Sequence, residues 1–199
     1  MFGFGVKLLA SNLISAVYTN VYKLVIGKYF SAEGLGFYSR AEQFRRLPSS
    51  SIQGTVERVT YPVLSSMISD KGRLRNGYKK MIKLMFYTTS TLMLLLLVNA
   101  REVILITIGA KWSPAIPFLQ IMCIPAMLYP LHSLNLNLLG ALGRSDLMLR
   151  LEIFKKFLVV PILIIGVRYG LIVMMWGMVI NSFVAFFLNS IFSARLISY

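Results

Sequence analysis

Two long stretches of this chain carry no charged residue, and they constrain its fold more than any other feature. One runs from Leu84 to Ala100, and the other runs from Tyr169 to Ala194. A helix needs about 20 predominantly apolar residues to cross the hydrocarbon core of a bilayer. Because both stretches are near or above that length, the sequence predicts a chain that crosses a membrane several times.

The overall composition agrees with a membrane protein. Hydrophobic residues make up 57 % of the chain and the mean hydropathy is +0.71, whereas soluble domains are roughly 45–50 % apolar. We predict an all-α, polytopic membrane bundle of about six transmembrane helices, with the whole chain as a single membrane domain. The predicted helices cover approximately residues 6–30, 37–69, 77–100, 114–142, 147–167 and 170–197.

The basic residues of the chain lie mainly beside the apolar segments. The net charge is +14, and we attribute this excess to anionic lipid head groups rather than to nucleic acid. Cytoplasmic loops of membrane proteins are enriched in lysine and arginine. Two cation clusters, at residues 71–83 and 144–156, therefore predict that both termini of this segment are cytoplasmic.

The second predicted helix is unusually polar along one side. At 100° per residue, its polar side chains fall in one stripe about 120° wide. The stripe consists of Glu42, Arg45, Arg46, Ser49, Gln53, Glu57 and Thr60. Because such a stripe cannot face acyl chains, we expect it to line a water-filled cavity. The alternatives are a structural seam in which Glu42 neutralises Arg46, and an amphipathic helix on the membrane surface.

Three cations are candidate ligands for a substrate phosphate, namely Lys23, Arg45 and Arg46. The guanidinium group binds oxyanions with two parallel hydrogen bonds, and Lys23 lies near the middle of the first predicted helix. Lys23 could instead pair with Glu57, which is also the acid best placed to carry a coupling proton. The candidate polar residues of the lumen are Glu42, Gln53, Glu57 and Asn135.

The sequence contains no recognisable enzyme motif. It lacks a phosphate-cradling glycine loop, a nucleophile elbow and a cluster of metal ligands. Cys123 is the only cysteine and His132 is the only histidine, which excludes an internal disulfide and a histidine-rich metal site. We therefore expect a protein that is not an enzyme and that needs no metal or other cofactor.

Several short motifs occur in a fixed order along the chain. They are AEGLGFYSRA at 32–41 followed by Pro48, YPVLS at 61–65, IGAKW at 108–112 followed by Ala115 and LQI at 119–121, and Leu134-Asn135 followed by GRSD at 143–146. This ordered set resembles the second half of the Wzx-type polysaccharide and O-antigen flippases. These transporters belong to the MOP superfamily of multidrug, oligosaccharidyl-lipid and polysaccharide exporters, which also contains the MATE antiporters.

The resemblance implies that this chain is one lobe, about helices 7–12, of a two-lobe transporter. The implied function is to flip an undecaprenyl-diphosphate-linked oligosaccharide across the bacterial inner membrane by alternating access, for lipopolysaccharide, capsule or exopolysaccharide synthesis. The implied partners are the N-terminal lobe, membrane lipids and the lipid-linked oligosaccharide. Three alternatives remain: a cation-coupled multidrug antiporter of the MATE type, a membrane enzyme acting on lipid-linked sugars, and a membrane scaffold without transport activity.

Overall fold

The computed structural model describes residues 20–196, except for the side chains of residues 51, 53, 55–57, 145, 146, 148, 149 and 194–196. Within this range the chain is helical and contains no strand, which confirms the predicted all-α class. The helices are α1 (Val21–Tyr29), α2 (Ala32–Ser66), α3 (Lys71–Val98), α4 (Ala100–Ile108), a 3-10 helix (Ala110–Ala115), α5 (Ile116–Ala126), α6 (Tyr129–Ala141), α7 (Ser145–Tyr169) and α8 (Leu171–Leu196). The first predicted helix, about residues 6–30, is described only from residue 20 onward, and its earlier part lies outside the described residues.

Helix α2 begins at Ala32 rather than at Phe37. The hydroxyl of Ser31 accepts a hydrogen bond from the backbone N–H of Gly34 at 2.9 Å, and Glu33 lies in the first turn. A serine N-cap and an acidic first turn both stabilise a helix start. Gly34 therefore lies inside the helix, whereas the predicted bounds had left it between two helices.

Helix α3 also begins earlier than predicted, at Lys71 rather than at Gly77. The carboxylate of Asp70 accepts a hydrogen bond from the backbone N–H of Arg73 at 3.0 Å. This cap satisfies one of the backbone donors that a helix start leaves unpaired. The basic residues predicted to form a loop are thus the first turns of a long helix that becomes apolar further along.

The fourth predicted helix is interrupted rather than continuous. A 3-10 turn precedes α5, and Met127 and Leu128 separate α5 from α6. Pro117 and Pro130 occupy the first turns of α5 and α6, where the missing N–H of proline is tolerated. These two prolines therefore mark helix starts, whereas Pro125 lies inside α5 and Pro48 lies inside the unbroken α2.

The packing of the bundle places apolar side chains on its outside as well as in its core. Leu119 and Cys123 of α5 are fully buried at the centre of the main hydrophobic cluster, whereas Leu95, Phe157 and Ile180 are 56 %, 72 % and 62 % exposed. Exposed side chains of this kind suit contact with lipid. In the described part, three segments are long and apolar enough to cross a membrane: Lys71–Val98, Ala110–Ala141 and Leu171–Ser193. The total of six spans stays a prediction.

Candidate functional site

A cavity of about 260 Å³ lies between α1, α2, α5, α6 and α8, and we call it the central cavity. Its apolar wall comes from α5 and α8, including Met122 and Met175. Its polar lining comes from α1, α2 and α6. The polar lining residues are Tyr22, Tyr38, Glu42, Arg45 and Tyr129. The cavity thus combines phenol groups, one carboxylate and one guanidinium within a mainly apolar enclosure.

Arg45 is the cation that lines this cavity. Its side chain is only 12 % exposed, and its guanidinium carbon lies 5.1 Å from the centre of the Tyr129 ring. An arginine over an aromatic face gains electrostatic attraction from the ring, and more so when water is excluded. This contact places the guanidinium of Arg45 on the wall of the cavity, where a carboxylate of α2 also approaches it.

Glu42 connects the central cavity with Lys23. Its Oε2 lies 2.5 Å from Nζ of Lys23, and its Oε1 lies 4.0 Å from Nη2 of Arg45. The sequence had offered Arg46 as the partner of Glu42 and Glu57 as the partner of Lys23. The structure joins Lys23 to Glu42 instead because α1 packs beside the first turns of α2. Lys23 therefore pairs with a carboxylate, as in the alternative to phosphate binding, although its partner is Glu42 and not Glu57.

Arg46 lies in a different cavity from Arg45. It is exposed and lines a groove of about 330 Å³, which we call the outer groove, together with Lys23, Ser39, Glu42, Gln43, Leu47 and Ser50. Consecutive residues of an α-helix project about 100° apart. The polar stripe of α2 is therefore divided between an enclosed cavity and an open groove, with Glu42 bordering both.

A second cavity, the side cavity, lies next to the central cavity and is more open to the surface. It has a volume of about 250 Å³ and shares Tyr22, Tyr129 and Met178 with the central cavity. Its other polar lining residues are His132, Glu152, Lys155, Asn181 and Ser182. The shared residues make the two cavities neighbouring parts of one polar region inside the bundle.

Lys155 and Glu152 are the functional candidates that the sequence missed. The ammonium of Lys155 pairs with the carboxylate of Glu152, and the Lys155 side chain is only 13 % exposed. We had counted Lys155 in the cation cluster at residues 144–156 that was used to predict the orientation. The available signal was the i,i+3 spacing of opposite charges between apolar neighbours, of which Phe154 and Phe157 are exposed on the outer face of α7.

His132 links α6 to α8 beside the side cavity. Its Nε2 lies 3.4 Å from the hydroxyl of Ser182, and its Nδ1 lies 3.4 Å from Nδ2 of Asn189. Among the described residues no hydrogen-bond partner is found for the buried Oδ1 of Asn181, which also lines this cavity. A buried amide oxygen costs free energy unless it is hydrogen-bonded, so this wall suits a hydroxyl-bearing ligand or water.

Asn135 forms a hydrogen bond between α6 and α3. It is 1 % exposed, and its Oδ1 accepts a hydrogen bond from the hydroxyl of Tyr78 in α3. Nearby, Nδ2 of Asn137 donates to the hydroxyl of Thr60 in α2 at 2.6 Å. Polar side chains commonly join transmembrane helices in this way. A ligand role for Asn135 stays a prediction, as it does for Gln53 and Glu57, whose side chains lie outside the described part.

The charges of the two cavities are small in number and mixed in sign. Central and side cavities together contain Arg45, Lys155, Glu42 and Glu152, and Lys23 reaches Glu42 from the outer groove. Over the described residues, no group of three His, Cys, Asp or Glu side chains is arranged to hold a metal ion. The arrangement is suited to binding a polar, anionic ligand through two basic side chains flanked by phenol, amide and hydroxyl groups.

Comparison with known proteins places the chain among polysaccharide biosynthesis proteins. The lipopolysaccharide biosynthesis protein WzxC of Escherichia coli (strain K12) is 28 % identical over 163 residues, which cover 82 % of this chain and 33 % of that protein. The teichuronic acid biosynthesis protein TuaB of Bacillus subtilis (strain 168) is 31 % identical over 146 residues, covering 73 % of this chain and 30 % of TuaB. No solved structure shows a significant match.

A third relative is an uncharacterized membrane protein in the cps region of Klebsiella pneumoniae, 24 % identical over 160 residues. The chain spans about a third of the length of these relatives. The three apolar helical segments, together with these matches, support a multi-pass membrane protein. The matches also confirm the predicted resemblance to the Wzx-type flippases. Residues 1–117 match the family model described as "polysaccharide biosynthesis protein", and the chain therefore belongs to this family.

Proposed function

We propose that this chain forms one lobe of a transporter that moves an undecaprenyl-diphosphate-linked oligosaccharide across the bacterial inner membrane. The observation that carries the proposal is the nearly buried guanidinium of Arg45 in the central cavity of an apolar bundle. A charge at such a site is costly to bury and is usually functional. A diphosphate would supply the opposite charge and suits bidentate hydrogen bonding by arginine.

The side cavity suits the sugar part of such a substrate. Tyr129 offers an aromatic ring, and Asn181 and Ser182 offer amide and hydroxyl groups that match sugar hydroxyls. The adjacent position of the two cavities would allow one ligand to place its phosphates at Arg45 and its first sugars at Asn181. The prenyl chain would stay in lipid along the apolar outer surface.

Transport would proceed by alternating access. Many transporters move a repeat or bundle against another around a central binding site. In this proposal the lobe described here rocks against an N-terminal lobe, and membrane lipids surround both. The interruption between α5 and α6 at Met127 and Leu128 supplies a place where the bundle can bend. The cation clusters favour cytoplasmic termini for this segment.

The charges in the cavities distinguish this proposal from its alternatives. A multidrug antiporter that carries cationic compounds would favour an acidic lumen, whereas Lys23, Arg45 and Lys155 here accompany two carboxylates. A membrane enzyme acting on lipid-linked sugars would need a set of catalytic acids. The two acids of the cavities, Glu42 and Glu152, are each engaged with a lysine, which fits a binding lumen better.

The test replaces Arg45 by glutamine in the chromosomal gene, in the organism that encodes this protein. Surface polysaccharide is expected to fall at least tenfold, with accumulation of the lipid-linked precursor, because the phosphate loses its main ligand. Arg40→Gln is the matched control, since Arg40 lies on the same helix but stacks on Trp112 at 5.2 Å and donates to Gln43. Equal export by both variants at normal protein levels would refute the role of Arg45.

A further inference from the structure

Glu42 occupies the position that an anionic substrate group would need. Its two carboxylate oxygens approach Lys23 at 2.5 Å and Arg45 at 4.0 Å. Carboxylates and phosphates accept hydrogen bonds from the same ammonium and guanidinium donors. A phosphate can therefore reach both cations only if Glu42 moves away or loses its negative charge.

We propose that Glu42 is a resident counter-anion of the central cavity, which the phosphate of a substrate displaces. This inference rests on the proposed function, because it concerns the same cations. An ionised carboxylate is only an acceptor of hydrogen bonds, so Glu42 and a bound phosphate would compete for the same donors of Lys23 and Arg45.

Glu42 supplies the negative charge that balances the cations around it. Within the described lining, Glu42 is the only carboxylate of both the central cavity and the outer groove, while α5 and α8 present apolar side chains to the central cavity. The titratable and charged groups that share these cavities with it are Tyr22 and Lys23 from α1, Tyr38, Arg45 and Arg46 from α2, and Tyr129 from α6. Neutralising Glu42 therefore leaves three basic side chains without a carboxylate in either lining.

Competition for the same cations gives the proposal a measurable consequence. Replacing Glu42 by a neutral residue should tighten anion binding, because the anion no longer has to displace a carboxylate. Glu152 and Lys155 form their own pair in the side cavity, so this effect belongs to Glu42.

The test measures the binding of farnesyl diphosphate to the purified 199-residue chain in detergent micelles at pH 8, with farnesol as the uncharged control ligand. Glu42→Gln removes the competing charge and should tighten binding at pH 8 on the order of tenfold, which corresponds to ~1.4 kcal/mol. Glu33→Gln, an exposed carboxylate at the start of the same helix, should behave like the wild type.

The outcomes separate this inference from the proposed function. Diphosphate binding of equal strength in wild type and Glu42→Gln overturns the inference and leaves the proposed function intact. Absence of binding in both proteins overturns both.

A second variant covers the case in which Glu42→Gln does not elute as a monodisperse protein. Glu42→Asp keeps the charge but shortens the side chain, which draws the carboxylate back from Lys23. Tighter binding than wild type at pH 8 supports the inference, whereas unchanged affinity contradicts it.

Discussion

Gly177 in α8 lies so close to α7 that its lack of a side chain is a requirement of the packing. A Cβ at this position would lie 2.5 Å from Cγ2 of Ile162 and 3.4 Å from its Cβ and Cγ1. Since real Cβ contacts are hardly ever below 3.0 Å, Gly177→Ala must push the two helices apart or force Ile162 from its rotamer. Small residues at helix interfaces allow such close approach in membranes.

The expected destabilisation follows from this geometry. Overpacking by one methyl group costs typically 1–3 kcal/mol, and the higher helix propensity of alanine returns up to about 1 kcal/mol. The net loss should be on the order of 1–2 kcal/mol. It can be measured as a lower midpoint and free energy of unfolding in detergent, using the 199-residue chain. Gly54→Ala in α2 is the matched control, because an added Cβ there meets no atom within 4 Å.

A double-mutant cycle isolates the contact. Ile162→Ala removes the methyl group that lies 2.5 Å away and leaves the Cβ at an ordinary 3.4 Å. The double variant should therefore be less destabilised than the sum of the two single variants, by about 0.5–3 kcal/mol as for other contacting pairs. Strictly additive effects would show that α7 and α8 are not packed at Gly177 as described.

Two further predictions concern the polar side chains of the bundle. Tyr78→Phe removes the donor to the buried Oδ1 of Asn135 and should lower the free energy of unfolding by about 1–3 kcal/mol. Tyr87→Phe, which alters an exposed ring of the same helix, is the control and should have little effect. Equal stability of the two variants would contradict the hydrogen bond. Arg46→Glu should reduce surface polysaccharide less than Arg45→Gln, because Arg46 lies in the open groove and Arg45 in the enclosed cavity; a greater loss with Arg46→Glu would make the outer groove the main phosphate site.

The sequence predicted the features that depend on local composition. The uncharged stretch from Leu84 to Ala100 indicated a membrane helix, and all of it up to Val98 lies within Lys71–Val98, one of the three segments able to cross a bilayer. The stripe of α2 predicted that polar side chains would avoid lipid; Arg45 is mostly buried, whereas Arg46 of the same stripe is exposed. Both predictions follow from the penalty for placing charge in hydrocarbon, which acts on any helix wherever its neighbours lie.

The helix starts depended on local contacts that composition did not reveal. Ser31 and Asp70 act as N-caps. Each lies near a glycine, Gly34 or Gly72, and a glycine considered alone favours a turn over a helix. A cap adds a specific hydrogen bond at the helix end, and this bond outweighs the weak propensity of a single glycine. The capping residues were visible in the sequence, but their competition with Gly34 and Gly72 was resolved only by the structure.

The tertiary structure decided which charges meet. Periodicity places Arg45 and Arg46 about 100° apart on α2, yet it does not say that α1 covers the side that bears Glu42, or that α6 brings Tyr129 over Arg45. Lys155 could be assigned to the side cavity only once α6, α7 and α8 were packed together. A sequence determines how apolar each helix face is, because that property is local. The partner of each buried charge depends on contacts between segments far apart in the chain, and only the packed bundle brings those segments together.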